Sequence, residues 1–496
     1  MTKLLRQFGD QVWSNGLTSS FYRERLFRCL GSLSPSSFLR SGRSVDVVPG
    51  RRHMNTATHP SEEPSAAPPA PAPAAIPRWM LLSRDIKTSP RDSSDVADGK
   101  TAVPSRCSTG QPFRVSLGLV APPSSSFLHH DWTGVSDEEN AAMRRQSRGS
   151  VIAAHGDSVL CTIDRESRSS TFDHFIYTAA GAGRPPSVSL LPVCCIPTMS
   201  DRFWRDLYSA GNNNNEYARA YNNNNRSSSS RRFSAEDTGI LRCGDGDGEL
   251  LVAQLERAVP IVDTPAAVVH DELLRWSFCA NGRAVVPVGS RFLCWVNYNR
   301  STLLVCDMAE EDLKLRYLKL PVEPCVDDDE PKPFSDDEEE EVPELRRSMG
   351  GEGADAVRLV SIEPRCCCGG HGTSTCARSR FAFKVTAWTM NLGTSTAGKT
   401  SPWVKAGELD SDEIWALPGY EGLPRTPLER PVVSSDNPDI VCFIVRDEIR
   451  PGVLGWKASK VEVDMRKRVL LSAVPCDADT YPYYDRVVPV NLQGTK

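Results

Sequence analysis

Arg291-Phe-Leu-Cys-Trp-Val-Asn-Tyr-Asn299 runs into Thr302-Leu-Leu-Val-Cys-Asp307, and Leu315-Arg-Tyr-Leu-Lys-Leu-Pro321 follows. Each segment is a short apolar run rich in Val, Leu and aromatic residues, bounded by turn-forming residues. That pattern predicts a hairpin with a third antiparallel strand beside it. The order returns loosely on both sides. Asp157-Ser-Val-Leu-Cys-Thr162 precedes Phe172-Asp-His-Phe-Ile-Tyr-Thr178 and Val188-Ser-Leu-Leu-Pro192. Asp439-Ile-Val-Cys-Phe-Ile-Val445 precedes Lys460-Val-Glu-Val-Asp464 and Arg468-Val-Leu-Leu-Ser-Ala473. One such meander cannot cover its own apolar face, so repeated meanders must stack on one another. The expected fold is therefore all-β, a propeller-like array of antiparallel meanders.

Outward from these units the same spacing continues. Trp79–Ser83, Phe113–Leu119, Gly239–Arg242, Leu250–Gln254, Leu273–Phe278, Val357–Ile362, Phe381–Trp388 and Val404–Glu408 all read as strands. Ser136–Arg148 is the best helical candidate and is polar on most faces. The first strand, Trp79–Ser83, and the last apolar run, Val487–Leu492, are expected to pair and close a ring, which would remove exposed sheet edges. The tryptophans, Trp276, Trp295, Trp388, Trp403, Trp415 and Trp456 among them, lie in or beside strands and read as packing between sheets.

Composition divides the chain. Its 496 residues carry a net charge of -5, with 40% hydrophobic and 24% charged residues, enough for a sizeable core. Residues 1–59 form an Arg/Ser-rich leader: the first 54 positions hold nine Lys or Arg, nine Ser and three acids. Within it, Ser20–Leu30 could form a short amphipathic helix, so residues 1–54 read either as a transit peptide for mitochondrion or chloroplast or as a disordered extension. Met54 is a second possible start. Residues 60–77 are a Pro/Ala linker, whose composition cannot offset chain entropy by burial. The folded part spans 78–496, interrupted by a low-complexity loop at 209–234 and an acidic loop at 326–344. Asp327–Glu341 contains ten acids and one Lys. The remainder is only weakly basic, so no nucleic-acid partner is expected. No run approaches the roughly 18 apolar residues of a spanning helix, so no transmembrane segment is expected. Sixteen cysteines scattered over this length read as reduced, mostly buried thiols.

Several segments could carry chemistry. Cys366, Cys368, His371 and Cys376 could form a Cys3His zinc site, because alternate residues of an extended segment share a face and Gly369-Gly370 allows a turn. The competing reading is a strand end with small buried thiols. His155-Gly-Asp157-Ser158 holds the residue types of a hydrolase triad, but contiguously and without a nucleophile elbow, so it reads as a turn. Gly244-Asp-Gly-Asp-Gly248 reads as a hairpin loop. Ser335 precedes Asp336-Asp-Glu-Glu-Glu-Glu341, the setting in which an acid-directed kinase could phosphorylate it; the alternative is a solvated acidic loop.

Taken together, His155-Gly-Asp-Ser158, Arg184-Pro-Pro-Ser187, Arg291-Phe-Leu-Cys-Trp295, Arg365-Cys-Cys-Cys-Gly-Gly370, Trp415-Ala-Leu-Pro-Gly-Tyr-Glu-Gly-Leu-Pro424 and Tyr483-Tyr-Asp-Arg486 resemble the plant family known as domain of unknown function 1618 (DUF1618), expanded in grasses. The resemblance spans Arg78 to Gly494. The hairpin units are also similar to the β-propeller domains associated with F-boxes, although no F-box precedes this domain. The resemblance implies no established activity, substrate or catalytic residue. The expected function is a non-enzymatic protein-interaction module, cytoplasmic or nuclear, with a protein partner. Two alternatives stay open: an enzyme with its active site in a central channel, and a zinc-stabilised binding module built on Cys366–Cys376.

Overall fold

A computed structural model describes residues 24–30, 77–88, 101–134, 147–165, 173–181, 184–192, 233–244, 249–257, 282–311, 313–325, 346–366, 381–393, 402–447, 457–476 and 486–492. Among the described residues strand predominates and helix is confined to one short segment, as the period-2 runs predict.

Three consecutive meanders are the plainest units. Strands β13 (Arg283–Val288), β14 (Phe292–Asn297), β15 (Thr302–Asp307) and β16 (Leu315–Lys319) form one four-stranded antiparallel sheet. Strands β17 (Arg347–Glu352), β18 (Ala356–Pro364), β19 (Phe383–Asn391) and β20 (Val404–Asp410) form the next. Strands β21 (Leu428–Val433), β22 (Ile440–Arg446), β23 (Ala458–Asp464) and β24 (Val469–Pro475) form the third. Between the last two lies a single short helix, α1 (Ser411–Trp415). It is started by a capping box in which Asp410 accepts from the Glu413 amide and Glu413 accepts from the Asp410 amide.

Upstream, β7 (Ser147–His155), β8 (Ser158–Arg165), β9 (His174–Thr178) and β10 (Ser187–Leu190) make a further meander. Among the described residues, the hairpin of β11 (Thr238–Arg242) and β12 (Leu250–Arg257) has two strands of its own. Its open edge is covered by β1 (Glu24–Leu30), which pairs antiparallel with β12 from Glu24↔Arg257 to Leu30↔Leu251. The amphipathic helix expected over Ser20–Leu30 is thus replaced by a strand over most of its length. An unpaired β12 edge offers backbone partners that a lone short helix would forgo.

The remaining sheet closes the ring. Strand β2 (Trp79–Ser83) pairs antiparallel with β25 (Val487–Asn491), with Trp79 opposite Asn491 and Ser83 opposite Val487. This is the pairing of first and last strands that the sequence predicts. Beyond β2 lie β6 (Ser125–Trp132), β5 (Pro112–Gly118) and β4 (Val103–Arg106). After a bend at Arg84, β3 (Asp85–Thr88) pairs with both β6 and β7, so the first two sheets are hydrogen-bonded into one.

Six inner strands, β25, β7, β11, β13, β17 and β21, neighbour one another in that order around a closed ring. Six apolar clusters sit between adjacent sheets. Met80, Phe113, Phe175 and Val490 belong to the first, and Ile152, Ile240 and Val252 to the second. Leu251, Trp295 and Cys306 form the third, and Val305, Leu359 and Trp403 belong to the fourth. Val385, Phe443 and Val461 lie in the fifth, and Trp79, Leu81 and Cys442 complete the circle. Among the described residues the architecture is propeller-like with six blades. Trp79, Trp132, Trp295 and Trp403 are buried between blades, as expected; Trp276 and Trp456 lie outside the described residues. So do the strand expected over Leu273–Phe278 and most of the helix candidate Ser136–Arg148, whose last two residues open β7.

None of the nine cysteines whose side chains are described forms a disulfide, and Cys161, Cys294, Cys306 and Cys442 are buried. Burial pushes the Cys161 thiol up to about 12, so at neutral pH it stays protonated and unreactive. Among the described residues, no helix is long and apolar enough to cross a membrane.

Candidate functional site

The ring encloses a cavity of about 560 Å³ whose wall is made mainly by the inner strands and the turns at their ends. Glycines decide how closely those strands approach. A Cβ on Gly239 of β11 would stand 2.5 Å from a methyl carbon of Val285 on β13. One on Gly351 of β17 would stand 2.8 Å from the Pro287 carbonyl oxygen of β13, and one on Gly350 2.8 Å from Val433 Cβ of β21. These contacts join equivalent positions, so β11, β13, β17 and β21 run in the same direction around the cavity. The Asn491 side chain donates to the Ser435 carbonyl at 3.4 Å, which places β25 in the same sense.

That parallel order gathers charge. Arg283 and Arg347 are the first residues of β13 and β17, Arg430 is the third of β21, and Arg486 immediately precedes β25. All four line the cavity towards the leading end of the inner strands. Arg84 joins them at the β2–β3 bend, where its backbone N–H donates to the Arg486 carbonyl at 2.8 Å. Its Nη1 donates to the carbonyls of Ile152 at 2.8 Å and Val151 at 3.2 Å. Arg347 donates to the Tyr298 and Glu323 carbonyls and to Ser301 Oγ. Lys460 Nζ, also on the wall, donates to Ser125 Oγ at 2.5 Å. These acceptors orient the three side chains against the wall. Glu236 and Asp436 are the acids among the described lining residues.

At the other end of β7 stand His155, Asp157 and Ser158, the triad-like residues. They are adjacent but not arranged as a triad. Ser158 Oγ donates to Asp157 Oδ1 at 3.0 Å, and His155 Nδ1 accepts the Arg242 backbone N–H at 2.9 Å. Asp157 also receives Arg242 Nη2 at 2.9 Å and pairs with Arg184. The segment is the β7–β8 turn, with Gly156 at φ +57°, and it ties the second blade to the third. Burial and the neighbouring Arg242 charge lower the His155 pKa to about 4, against a partial opposing pull from Asp157.

A His that resists protonation in the folded state carries no penalty above its unfolded value near 6.5. Stability is then lost as pH falls from about 6.5 towards 4, by up to about 3 kcal/mol from this group. Urea unfolding at pH 7, 6, 5 and 4 should show that decline, and His155→Asn should remove most of it. An unchanged slope in the variant would refute the assignment to His155.

Of the expected metal ligands, Cys366 is half-buried just beyond the end of β18, next to Arg365, whose Nη1 pairs with Asp410 at 2.5 Å. Cys368, His371 and Cys376 lie outside the described residues, as does Ser335. Among the described residues no group of three or more His, Cys, Asp or Glu is placed to hold a metal ion. The cavity arginines escaped the sequence reading. Their signal was an Arg at or near the start of several inner strands, and two of those strands, β17 and β21, were not recognised as strands.

A second surface lies at the rim. Outermost strand β24 has no charged residue, and its outward positions Val469 and Leu471 are 38% and 45% exposed. The corresponding strands of the two preceding blades carry charges: Arg316 and Lys319 on β16, and Lys405, Glu408 and Asp410 on β20.

The chain thus defines an all-β, six-bladed, propeller-like protein with a cation-lined central cavity. Residues 295–442, from β14 into β22, match the family model described as a protein of unknown function (DUF1618). No curated protein matches the chain.

Proposed function

We propose that the protein is a non-enzymatic interaction module that receives an extended segment of a partner protein along β24. The carrying observation is the contrast between β24 and its counterparts. Charged residues on an edge strand discourage further strand pairing, and β16 and β20 have them. Strand β24 instead presents seven uncharged residues, with Val469, Leu471 and Ala473 alternating on the exposed side. An added strand would gain main-chain hydrogen bonds from that edge and side-chain contacts from its alternate positions. The segment that fits is uncharged and alternately apolar.

The test places a photo-activated cross-linking residue at Leu471 and, separately, at Tyr317 on β16. A partner cross-linked at 471 and not at 317, and lost from the chain when Val469 and Leu471 are both changed to Lys, is the expected result. Equal capture at both positions, or capture that survives the double change, would overturn the edge as the docking site. Dimerisation abolished by the same change would make the occupant a second copy of this chain rather than a different protein.

A further inference from the structure

We propose that the edge of β12 opposite β11 is a strand-binding site for an extended protein segment, and that residues 24–30 of this chain are its resident, displaceable occupant. The inference does not depend on β24. In the later blades the third position is filled by the strand that follows in sequence: β15 begins after the four residues 298–301 that end β14. In the blade of β11 and β12 that position is taken by β1, which lies upstream of every other described strand. The 48 residues 31–78 separate β1 from β2. A pairing that closes so long a loop costs more chain entropy than one across a tight turn, so it opens more readily.

The site is specified in both chemistry and register. Leu251, Val252, Ala253, Gln254 and Leu255 of β12 are all buried. Leu251, Ala253 and Leu255 pack in the cluster shared with Leu293 and Trp295 of the next blade, while Val252 packs with Ile152 and Ile240 on the other side. A strand laid along this edge enters a seam between two blades, and it supplies the backbone partners that the edge otherwise lacks. Strand β1 pairs over seven residues without a register shift, with Leu26 opposite Leu255, Phe27 opposite Gln254 and Leu30 opposite Leu251. At its start Glu24 stands opposite Arg257 and Arg25 opposite Glu256. A slip of one residue would set Glu24 opposite Glu256 or Arg25 opposite Arg257, so the charges favour the observed alignment. The segment that fits this edge carries an acid and a base followed by a mainly apolar run. A form of the protein begun at Met54 would lack β1 and present the edge open.

The test uses the full chain. Val252→Cys puts a thiol directly opposite Cys29, at a spacing a disulfide can bridge, whereas Leu251→Cys puts one on the other face of the sheet. Oxidation with diamide should join positions 29 and 252, read by mass spectrometry, and should not join 29 and 251. A synthetic peptide of residues 22–32 carrying Cys29→Ser, at a concentration matching the millimolar-range effective concentration of a tethered segment, should slow that reaction severalfold. The same peptide with Phe27→Pro and Arg28→Pro should not, because one of two adjacent prolines always removes a backbone donor facing β12. In a second measurement the labelled peptide, followed by fluorescence anisotropy, should bind the full chain carrying Phe27→Pro and Arg28→Pro about tenfold or more tightly than the wild type, since the resident strand no longer competes. Should that variant fail to fold, cross-linking and its competition decide alone. Equal cross-linking at 251 and 252, a reaction that the peptide does not slow, or equal peptide affinity for the two full chains would overturn the site.

Discussion

Deletion of residues 487–496 is expected to abolish the single cooperative unfolding transition of the protein. Strand β25 supplies the inner strand of the first blade and pairs with all five residues of β2. Val490 is buried in the first inter-blade cluster, with Val488 packed against it, and Val487 packs into the cluster that joins the last blade to the first. At about 2 kcal/mol for the buried Val490 and about 1 kcal/mol for each of the partly buried Val487 and Val488, the direct loss is about 4 kcal/mol. That is a large share of the 5–15 kcal/mol by which domains are ordinarily stable. The loss also opens two blade interfaces at once and leaves Trp79, Met80, Leu81 and Leu82 beside a bare edge. Thermal melts followed by circular dichroism should show a broad, early loss of structure. A synthetic peptide of residues 486–496 added in excess should restore part of the transition, because it supplies the missing strand. A truncated chain melting within a few degrees of the full one would show that closure of the ring contributes little.

The second large effect is expected at Gly289, in the β13–β14 turn. Its φ is +52°, and a Cβ there would stand 2.1 Å from the Ala354 carbonyl oxygen in the β17–β18 turn. Gly353 provides an internal comparison, since its φ is +61° but a Cβ would meet nothing within 4 Å. Both Gly→Ala changes carry the left-handed backbone penalty of about 1–2 kcal/mol. Gly289→Ala adds a clash with backbone, which cannot rotate away as a side chain would. Overpacking of that kind costs a further 1–3 kcal/mol or so. Gly353→Ala should therefore lower the unfolding free energy by about 1 kcal/mol and Gly289→Ala by about 3 kcal/mol, measured by urea unfolding of both variants in parallel. Equal losses would show that the two turns do not press on each other.

Much of the fold was legible because outer and middle strands obey simple rules. Phe292–Asn297, Thr302–Asp307 and Ile440–Arg446 are continuous apolar runs, buried on both faces between neighbouring blades, and they lie within a residue or two of where the sequence places them. The closing pair of β2 and β25 was readable for the same reason. Inner strands were harder. Arg347-Ser-Met-Gly-Gly-Glu352 and Leu428-Glu-Arg-Pro-Val-Val433 look like turn sequence, with two glycines in one and a proline in the other. In the ring those glycines serve close approach to Pro287 and Val433, a contact between segments distant in sequence that no local pattern announces. Strand β7 was obscured by its Gly149 and small Ala153 and Ala154. The cavity arginines were invisible as a group for a related reason. Each is a single residue, and they converge only through the ring. Conversely, the contiguous His155, Asp157 and Ser158 drew attention by local composition and proved to be a turn whose ion pairs join blades.

The pairing of Trp79 with Asn491 also sets an order of events. The three sheets from β13 onward are each completed by segments made within about a hundred residues of one another, and each can form as soon as its strands exist. The first sheet cannot. While the later blades are being synthesised, the apolar face of β2 waits for a strand made some four hundred positions downstream, and long-range pairing of that kind is slow. During that interval Met80 and Leu82 are open to wrong partners. Newly made chains of this architecture are accordingly expected to depend on holding factors that shield β2 until β25 arrives.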